Sequence, residues 1–198
     1  MLDIQVLLID TNNVSLEHLL KSHYLFHRDV ESLSKYKVEE TKKEKAASLV
    51  LKNKYIVEYS LNEYGKPVSD KCFFNISHSY GVVVLVKDTL PVGIDIEKIR
   101  DVKPNLVDYI SSFEEKEYIK SNKDFFDIWT NKEALTKAIG TGVNGHVKDI
   151  PALPINGEKQ YLDRTFYVKT IEHNGFIISL IRESNEAFNI VIEEVKIY

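Results

Sequence analysis

Apolar residues alternate with polar residues, or form short unbroken runs, in seven segments of the chain, a pattern that predicts β-strands. The connections between the three middle segments are too short for parallel crossovers, so we expect an antiparallel meander there. A hairpin is predicted at Asn174-Gly175, because this dipeptide favours the backbone conformation of a two-residue β-turn. The predicted strands are 4–9, 73–77, 82–87, 92–97, 165–171, 176–182 and 188–197.

Apolar residues at intervals of three and four mark five further segments as helices. Ser15 has the chemistry of an N-cap for the first helix, and Asp124 can cap the longest, which Gly140 ends. The stretch 141–157 is rich in glycine and proline and is predicted to be a loop. The predicted helices are 16–21, 38–59, 105–110, 114–120 and 124–139.

A charged stretch with a proline, residues 98–104, lies near the middle of the chain and predicts a boundary there. We therefore expect an N-terminal lobe of residues 1–100 and a C-terminal lobe of residues 101–198. In both halves, helices precede an antiparallel sheet. This order predicts an α+β fold of two similar α/β lobes, each with a mainly antiparallel sheet packed on helices.

The composition is that of an ordinary globular protein, with 43% hydrophobic and 28% charged residues. The formal net charge is −4 and neither half has a basic excess, which argues against a nucleic-acid binder. No apolar run is long enough to cross a bilayer and the amino end lacks a secretory signal, so we expect a cytoplasmic protein that does not bind membranes. The single cysteine, Cys72, excludes an internal disulfide.

The segment 93–97, Gly-Ile-Asp-Ile-Glu, carries the first candidate chemistry. On a strand, Asp95 and Glu97 point to one face while the two isoleucines point into the core. Neighbouring carboxylates repel each other unless a cation lies between them, and Mg²⁺ prefers such oxygen ligands. The alternative is an ordinary polar face on a half-exposed strand, and this short segment alone leaves both interpretations open.

The predicted helix 124–139 carries the second candidate feature, a broad face of residues three and four positions apart. If Glu133 faces Asp95 and Glu97, the three carboxylates form a Mg²⁺ site. Lys132 and Lys137 would then neutralise phosphate oxygens, as phosphoryl transfer requires. The alternative is a surface ion pair between Glu133 and Lys137. The residues that share this face are Trp129, Lys132, Glu133, Thr136, Lys137 and Gly140.

Three separate motifs together resemble those of the 4′-phosphopantetheinyl transferases of the surfactin-synthetase-activating (Sfp) type. Each motif is weak alone, but they occur in the family's order over the central part of the chain. The first is Tyr64-Gly65-Lys66-Pro67, leading into Phe74-Asn75-Ile76-Ser77-His78-Ser79. The second is Val92-Gly93-Ile94-Asp95-Ile96-Glu97, and the third is Trp129-Thr130-Asn131-Lys132-Glu133-Ala134, continuing through Lys137 to Gly140-Thr141-Gly142.

The resemblance implies a Mg²⁺-dependent transfer of the 4′-phosphopantetheine group from coenzyme A to a serine hydroxyl of an apo carrier protein. Asp95, Glu97 and Glu133 would hold Mg²⁺ against the pyrophosphate, and 3′,5′-ADP would leave. Glu133 would also act as base toward the serine, directly or through water. Lys137 would steady the transferring or leaving phosphate.

The resemblance further implies contacts to coenzyme A. His78 would bind one of its phosphates, and Lys66 would meet the nucleotide. Lys43 stands approximately where the family has an arginine for the 3′-phosphate, and lysine keeps the charge without the bidentate geometry. The family architecture implies a monomer whose two lobes are related by a pseudo-twofold axis, with coenzyme A in the cleft between them. The predicted coenzyme A contacts are Lys43, Lys66, Ser77, His78, Lys132 and Lys137.

Two other functions use the same residues. Another Mg²⁺-dependent enzyme that cleaves a pyrophosphate would need the same carboxylates and lysines. In a non-catalytic nucleotide-binding module, Glu133 and Lys137 would merely pair on the surface. The sequence also leaves open whether an acyl, peptidyl or aryl carrier protein is the partner.

Overall fold

The structure is a computed structural model that describes residues 1–56, 58–61, 67–143 and 146–197. Ser15 and Ser121 each accept a backbone N–H bond as N-caps, and Gly140, with φ of 92°, ends the longest helix. None of the helices in the described ranges has the length and hydrophobicity needed to span a membrane. The helices are α1 Leu16–Leu20, α2 His27–Leu33, α3 Glu39–Tyr55, α4 Pro104–Ile110, α5 Phe113–Tyr118 and α6 Asn122–Ile139.

The strands form two four-stranded sheets and one short ribbon. The predicted hairpin at Asn174-Gly175 is confirmed, because both residues have positive φ angles at the turn between two paired strands. The strands are β1 Leu2–Asp10, β2 Ser60–Leu61, β3 Pro67–Val68, β4 Phe73–Ser79, β5 Val82–Asp88, β6 Val92–Lys98, β7 Gly157–Tyr161, β8 Arg164–His173, β9 Phe176–Arg182 and β10 Phe188–Glu194.

The first sheet has the strand order β10-β1-β5-β4 and the second has the order β6-β9-β8-β7. All neighbours in these two sheets are antiparallel except β1 and β10, which are parallel. The predicted α+β class with mainly antiparallel sheets on helices is confirmed. The pseudo-twofold relation between the lobes stays a prediction.

The predicted meander is wrong in its third strand. β4 and β5 pair as expected, but β6 pairs with β9, where Asp95 lies opposite Ser179. Strand β10 in turn completes the first sheet beside β1. The lobe division at residue 100 stays a prediction, but the sheets do not follow it, because each half of the chain gives one strand to the sheet of the other.

Three layers of apolar packing position these elements. Ile94 and Ile96 of β6 pack with Val84 and Val86 of β5 in a core between the two sheets. The outer face of the first sheet packs against α1, α2 and α3, and the outer face of the second packs against α6. The order of layers is therefore helices, sheet, sheet, helix.

Besides the short ribbon of β2 and β3, the sequence did not predict helix α2 or strand β7. Helix α2 lacks a clear apolar stripe, and β7, with the sequence Gly-Glu-Lys-Gln-Tyr, begins at the last residue of the predicted loop 141–157 and lies before the next predicted strand. Its central residue, Lys159, is buried, whereas lysine normally indicates an exposed position. Sequence polarity therefore misrepresented the burial of this strand.

Candidate active site

The candidate site lies where the edges of the two sheets meet beneath α6. Strands β4 and β6 are not paired by a backbone ladder there, and side chains join them instead. Asn75 Oδ1 accepts the Ile94 N–H at 3.3 Å, and the Ser77 hydroxyl donates to Asp95 Oδ1 at 2.7 Å. The polar side chains of β4 therefore link the two sheets, and one of them contacts the predicted acid Asp95 directly.

Gly93 allows α6 to lie directly on β6. A Cβ atom at this position would lie 2.0 Å from the carbonyl oxygen of Ala134 and 2.5 Å from the amide nitrogen of Ala138. Both are backbone atoms, so any larger residue would push the helix away. The close approach places the Glu133 and Lys137 turn of α6 over Asp95 and Glu97.

A polar pocket of about 240 Å³ opens at this point. It brings together most of the predicted site residues, including all three predicted metal ligands. The residues that line it are Ile76, Ser77, His78, Asp95, Glu97, Trp129, Glu133 and Lys137.

Asp95 is the most buried of the three acids, with 5% of its surface exposed. Its Oδ1 atom accepts hydrogen bonds from Ser77 and from Lys137 Nζ, the latter at 2.6 Å. Burial raises the pKa of Asp95 above its ordinary value, an effect that the nearby Lys137 charge partly offsets. Its Oδ2 atom is buried without a hydrogen-bond partner, so one carboxylate oxygen is left unsatisfied in the pocket.

Glu97 and Glu133 complete the acidic group. Glu97 Oε2 accepts from Ser79 Oγ at 2.9 Å and from Arg100 Nη1 at 2.8 Å. Burial raises the pKa of Glu133, and the charge of Asp95 raises it further. Glu133 therefore lies close enough to the strand acids for their charges to raise its pKa, as expected from the helical spacing.

The donor chemistry of the pocket fits a hard divalent cation such as Mg²⁺. Three carboxylates line the same pocket, and the unsatisfied Asp95 Oδ2 is the kind of atom that a cation would satisfy. The carboxylates are held by Lys137, Arg100 and two serines. Within the described ranges, no three acidic, histidine or cysteine side chains lie close enough to one another to form a metal-binding group.

The predicted phosphate contact at Lys132 is wrong. This side chain is fully buried on another face of α6, and its ammonium pairs with Glu115 at 2.7 Å. It also donates to the carbonyl oxygens of Val147 and Ile150. Adjacent residues on a helix are rotated by about 100°, so Lys132 and Glu133 need not face the same way.

Not all of the basic residues predicted to bind coenzyme A line the pocket. His78 lines the pocket, and the lysine that contacts its ring is Lys45, at 3.1 Å, rather than the predicted Lys43. Lys43 is half-buried on the same helix. Lys66 lies outside the described residues. The predicted roles of Lys43 and Lys66 therefore stay predictions.

Several residues that sequence reasoning missed support the site. Glu44 pairs with His78, while Ser79 and Arg100 hold Glu97. Ser79 belongs to the first motif, and its alternation with Ser77 along β4 could have indicated a shared face. Nothing local to Glu44 or Arg100 distinguishes them from other surface charges.

Known proteins with similar sequences belong to the same family that the three motifs resemble. The sequence model of the 4′-phosphopantetheinyl transferase superfamily matches residues 91–183. The chain is 43% identical over 91 residues to the 4′-phosphopantetheinyl transferase gsp of Aneurinibacillus migulanus, covering 41% of this chain and 38% of that protein. It is 34% identical over 97 residues to the 4′-phosphopantetheinyl transferase Sfp of Bacillus subtilis, covering 44% and 43%.

A third relative is a fission yeast protein, the L-aminoadipate-semialdehyde dehydrogenase-phosphopantetheinyl transferase of Schizosaccharomyces pombe. It is 30% identical over 120 residues, covering 48% of this chain and 46% of that protein. In all three relatives the match spans less than half of the relative's length. The matched region contains Asp95, Glu97, Glu133 and Lys137, so the resemblance seen in the motifs is confirmed: residues 91–183 of this chain are similar to the 4′-phosphopantetheinyl transferase superfamily.

Proposed function

We propose that this protein transfers the 4′-phosphopantetheine group of coenzyme A to a serine hydroxyl of an apo carrier protein and releases 3′,5′-ADP. The observation that carries the proposal is the convergence of Asp95, Glu97, Glu133 and Lys137 in one pocket. The superfamily match to the same region supports it. Action as a monomer in the cytoplasm, and the choice among acyl, peptidyl and aryl carriers, stay predictions.

Asp95, Glu97 and Glu133 would hold Mg²⁺ at the floor of the pocket. Such an ion, when bound, neutralises pyrophosphate oxygens and stabilises the charge that develops on the leaving phosphate. The Ser77 hydroxyl orients Asp95 by donating to Oδ1, and Oδ2 is left without a hydrogen-bond partner. The backbone of β6 and its pairing with β9 fix the spacing of the two strand acids.

Lys137 supplies the mobile positive charge of the site. Its Nζ atom lies 2.6 Å from Asp95 Oδ1 and 3.0 Å from Ser77 Oγ, and a quarter of its side chain is exposed. A lysine on a flexible stem can turn from a carboxylate to a phosphate oxygen within the same pocket. From its position in the pocket, Lys137 would steady the transferring phosphate.

Glu133 would accept the proton in the transfer step. The carrier serine oxygen forms a bond to the phosphorus nearer the pantetheine, and the bond from that phosphorus to the 3′,5′-ADP oxygen breaks. The serine proton passes to Glu133, directly or through one water. Burial and the charge of Asp95 raise the pKa of Glu133, which makes its carboxylate a better proton acceptor than an exposed glutamate.

The proposal is tested by intact mass spectrometry of an apo acyl carrier protein incubated with the protein, coenzyme A and Mg²⁺. We expect the carrier to gain the mass of one phosphopantetheine group, and we expect no gain when a chelator removes the metal or when Glu133→Gln replaces the wild type. Peptidyl and aryl carriers are tried in parallel. Release of nucleotide without any carrier would favour a pyrophosphate-cleaving enzyme instead, and an unmodified set of carriers would contradict the transfer.

A further inference from the structure

Glu44 lies outside the matched region and outside the acidic pocket, yet it connects three elements around that pocket. From helix α3 its Oε2 atom reaches His78 Nδ1 at 3.1 Å, and its Oε1 atom accepts the Gly81 N–H at 2.7 Å. Only 13% of the side chain is exposed. A half-buried glutamate that contacts a pocket histidine and the next turn is not an ordinary surface charge.

The contacts on both ring nitrogens assign the tautomer of His78. Lys45 Nζ lies 3.1 Å from Nε2, and an ammonium group has donors but no acceptor. Nε2 must therefore accept, so the ring proton stands on Nδ1 and is donated to Glu44. With the proton on Nε2 instead, two donors would face each other at that distance.

The same contacts define a basic end of the pocket. The Nε2 side of His78 and the Lys45 ammonium lie next to each other, and His78 lines the pocket that holds Glu133 and Lys137. A phosphate oxygen placed there can accept from Lys45 directly. Burial would raise the pKa of Glu44, but hydrogen bonds from His78 and Gly81 and the charge of Lys45 lower it overall, so the carboxylate is ionised.

We propose that Glu44 is a positioning residue that fixes the Nδ1–H tautomer and the orientation of His78, so that Nε2 accepts from Lys45 and holds its ammonium group in place to receive one phosphate group of coenzyme A. The choice of ligand rests on the proposed function. Glu44 itself does not touch the substrate. It acts through the imidazole, and the turn at Gly81 holds it in place.

Nitrogen-15 NMR of the histidine side chains tests the tautomer without any ligand. We expect the wild-type His78 ring to be protonated at Nδ1, and we expect Glu44→Met, which removes the acceptor at nearly constant length, to shift the proton toward Nε2. Glu44→Gln keeps an acceptor oxygen and should keep the wild-type tautomer. A wild-type ring protonated at Nε2 overturns the proposal, whatever the stability of the variants.

Calorimetric titration with coenzyme A tests the effect on binding. We expect Glu44→Met to weaken binding about tenfold, the order of magnitude of one charge-assisted hydrogen bond. Glu44→Gln should recover most of the loss. The matched control is Glu40→Met, at an exposed glutamate one turn earlier on α3, which should bind like the wild type.

A double-mutant cycle separates action through His78 from mere support of the Gly81 turn. In a His78→Ala background, Glu44→Met should have almost no further effect on coenzyme A binding. A loss as large as in the wild-type background would show that Glu44 acts through the turn and would overturn the proposal. A wild-type protein that binds no coenzyme A would overturn the proposed function and the ligand named here, while the NMR result still decides whether Glu44 sets the imidazole.

Discussion

Helix α6 carries the same kinds of charged residue on two faces and uses them differently. On one face, Glu133 and Lys137 line a pocket that opens to solvent. On another, Lys132 is sealed from water against Glu115, and Asn131 accepts from the equally buried Lys159 at 2.9 Å. The two clusters include neighbouring residues of α6, Lys132 and Glu133, whose side chains point in different directions.

The difference between them is the number of bonds each charge makes. Lys132 donates to Glu115 and to two carbonyl oxygens, and Lys159 donates to Asn131 and to the carbonyls of Pro151 and Ala152. In the pocket, by contrast, Asp95 Oδ2 has no partner. Satisfied buried charges hold structure together, whereas an unsatisfied one is a place for a ligand.

The largest effect is expected on the pocket side. Glu133→Gln keeps the shape of the side chain but removes a proposed metal ligand and the proposed proton acceptor. We expect the transfer rate to fall by about 10³-fold, within the range for loss of a general base. The free energy of unfolding should stay the same or rise, because the charged form of Glu133 is disfavoured in the folded protein. Phosphopantetheine transfer and urea unfolding, measured on the same sample, check both, and a large loss of stability would contradict the contrast.

The reverse pattern is expected on the sealed side. Glu115→Ala would leave the Lys132 ammonium buried without its counter-charge, and we expect the free energy of unfolding to fall by about 3–5 kcal/mol. Urea unfolding measures this loss. The exposed Glu117 of the same helix provides the control, since Glu117→Ala should change the stability by no more than about 0.5 kcal/mol. A loss of stability in Glu115→Ala as small as that in Glu117→Ala would show that the buried ion pair does not stabilise the fold.

A pH series distinguishes the two clusters further. Burial lowers the pKa of Lys159 to about 7, whereas the pKa of a lysine in the unfolded chain is about 10.4. Between these values the unfolded chain binds more protons than the folded protein, so the free energy of unfolding rises with pH. From pH 7 to pH 9 we expect Lys159 to contribute an increase of about 2 kcal/mol. Urea unfolding of the wild type should show this slope relative to Lys159→Met, and identical slopes would contradict a depressed pKa.

The smallest effect concerns ligand affinity. Lys132→Met removes a charge from α6 that does not reach the pocket, so the folded variant should bind coenzyme A within about twofold of the wild type. Lys137→Met removes the charge that does reach it and should weaken binding about tenfold. Calorimetry at low temperature, where both variants are folded, compares them. Equal losses would restore the original prediction that both lysines meet the phosphates.

The sequence predicted which acids would lie near each other better than it predicted the connections of the sheets. The period of two in 92–97 and the helical spacing of 124–139 are local patterns, and they placed Asp95, Glu97, Glu133 and Lys137 correctly on facing surfaces. The strand partner of β6 is β9, which lies far along the chain, and no local pattern contains that information. Short connections favoured β5 as the neighbour, and this local inference was wrong.

The buried lysines were equally inaccessible to sequence reasoning. Lysine is almost always exposed, so Lys132 was assigned to the ligand and no strand was predicted around Lys159. Their burial depends on acceptors brought by Glu115 and by the carbonyls of residues 147–152, which only the folded chain brings together. Likewise, the contact of Glu44 with His78 joins a helix and a strand that share no sequence pattern.

The exchange of strands between the sheets has a consequence for how the protein is made. Strand β6, which carries two of the three acids, finds its backbone partner only in β9, and β1 gains its second neighbour only with β10. A chain growing on the ribosome therefore exposes the edges of both strands until these distant segments have emerged. The acidic pocket is expected to assemble late in synthesis, after the residues that line it have already been translated.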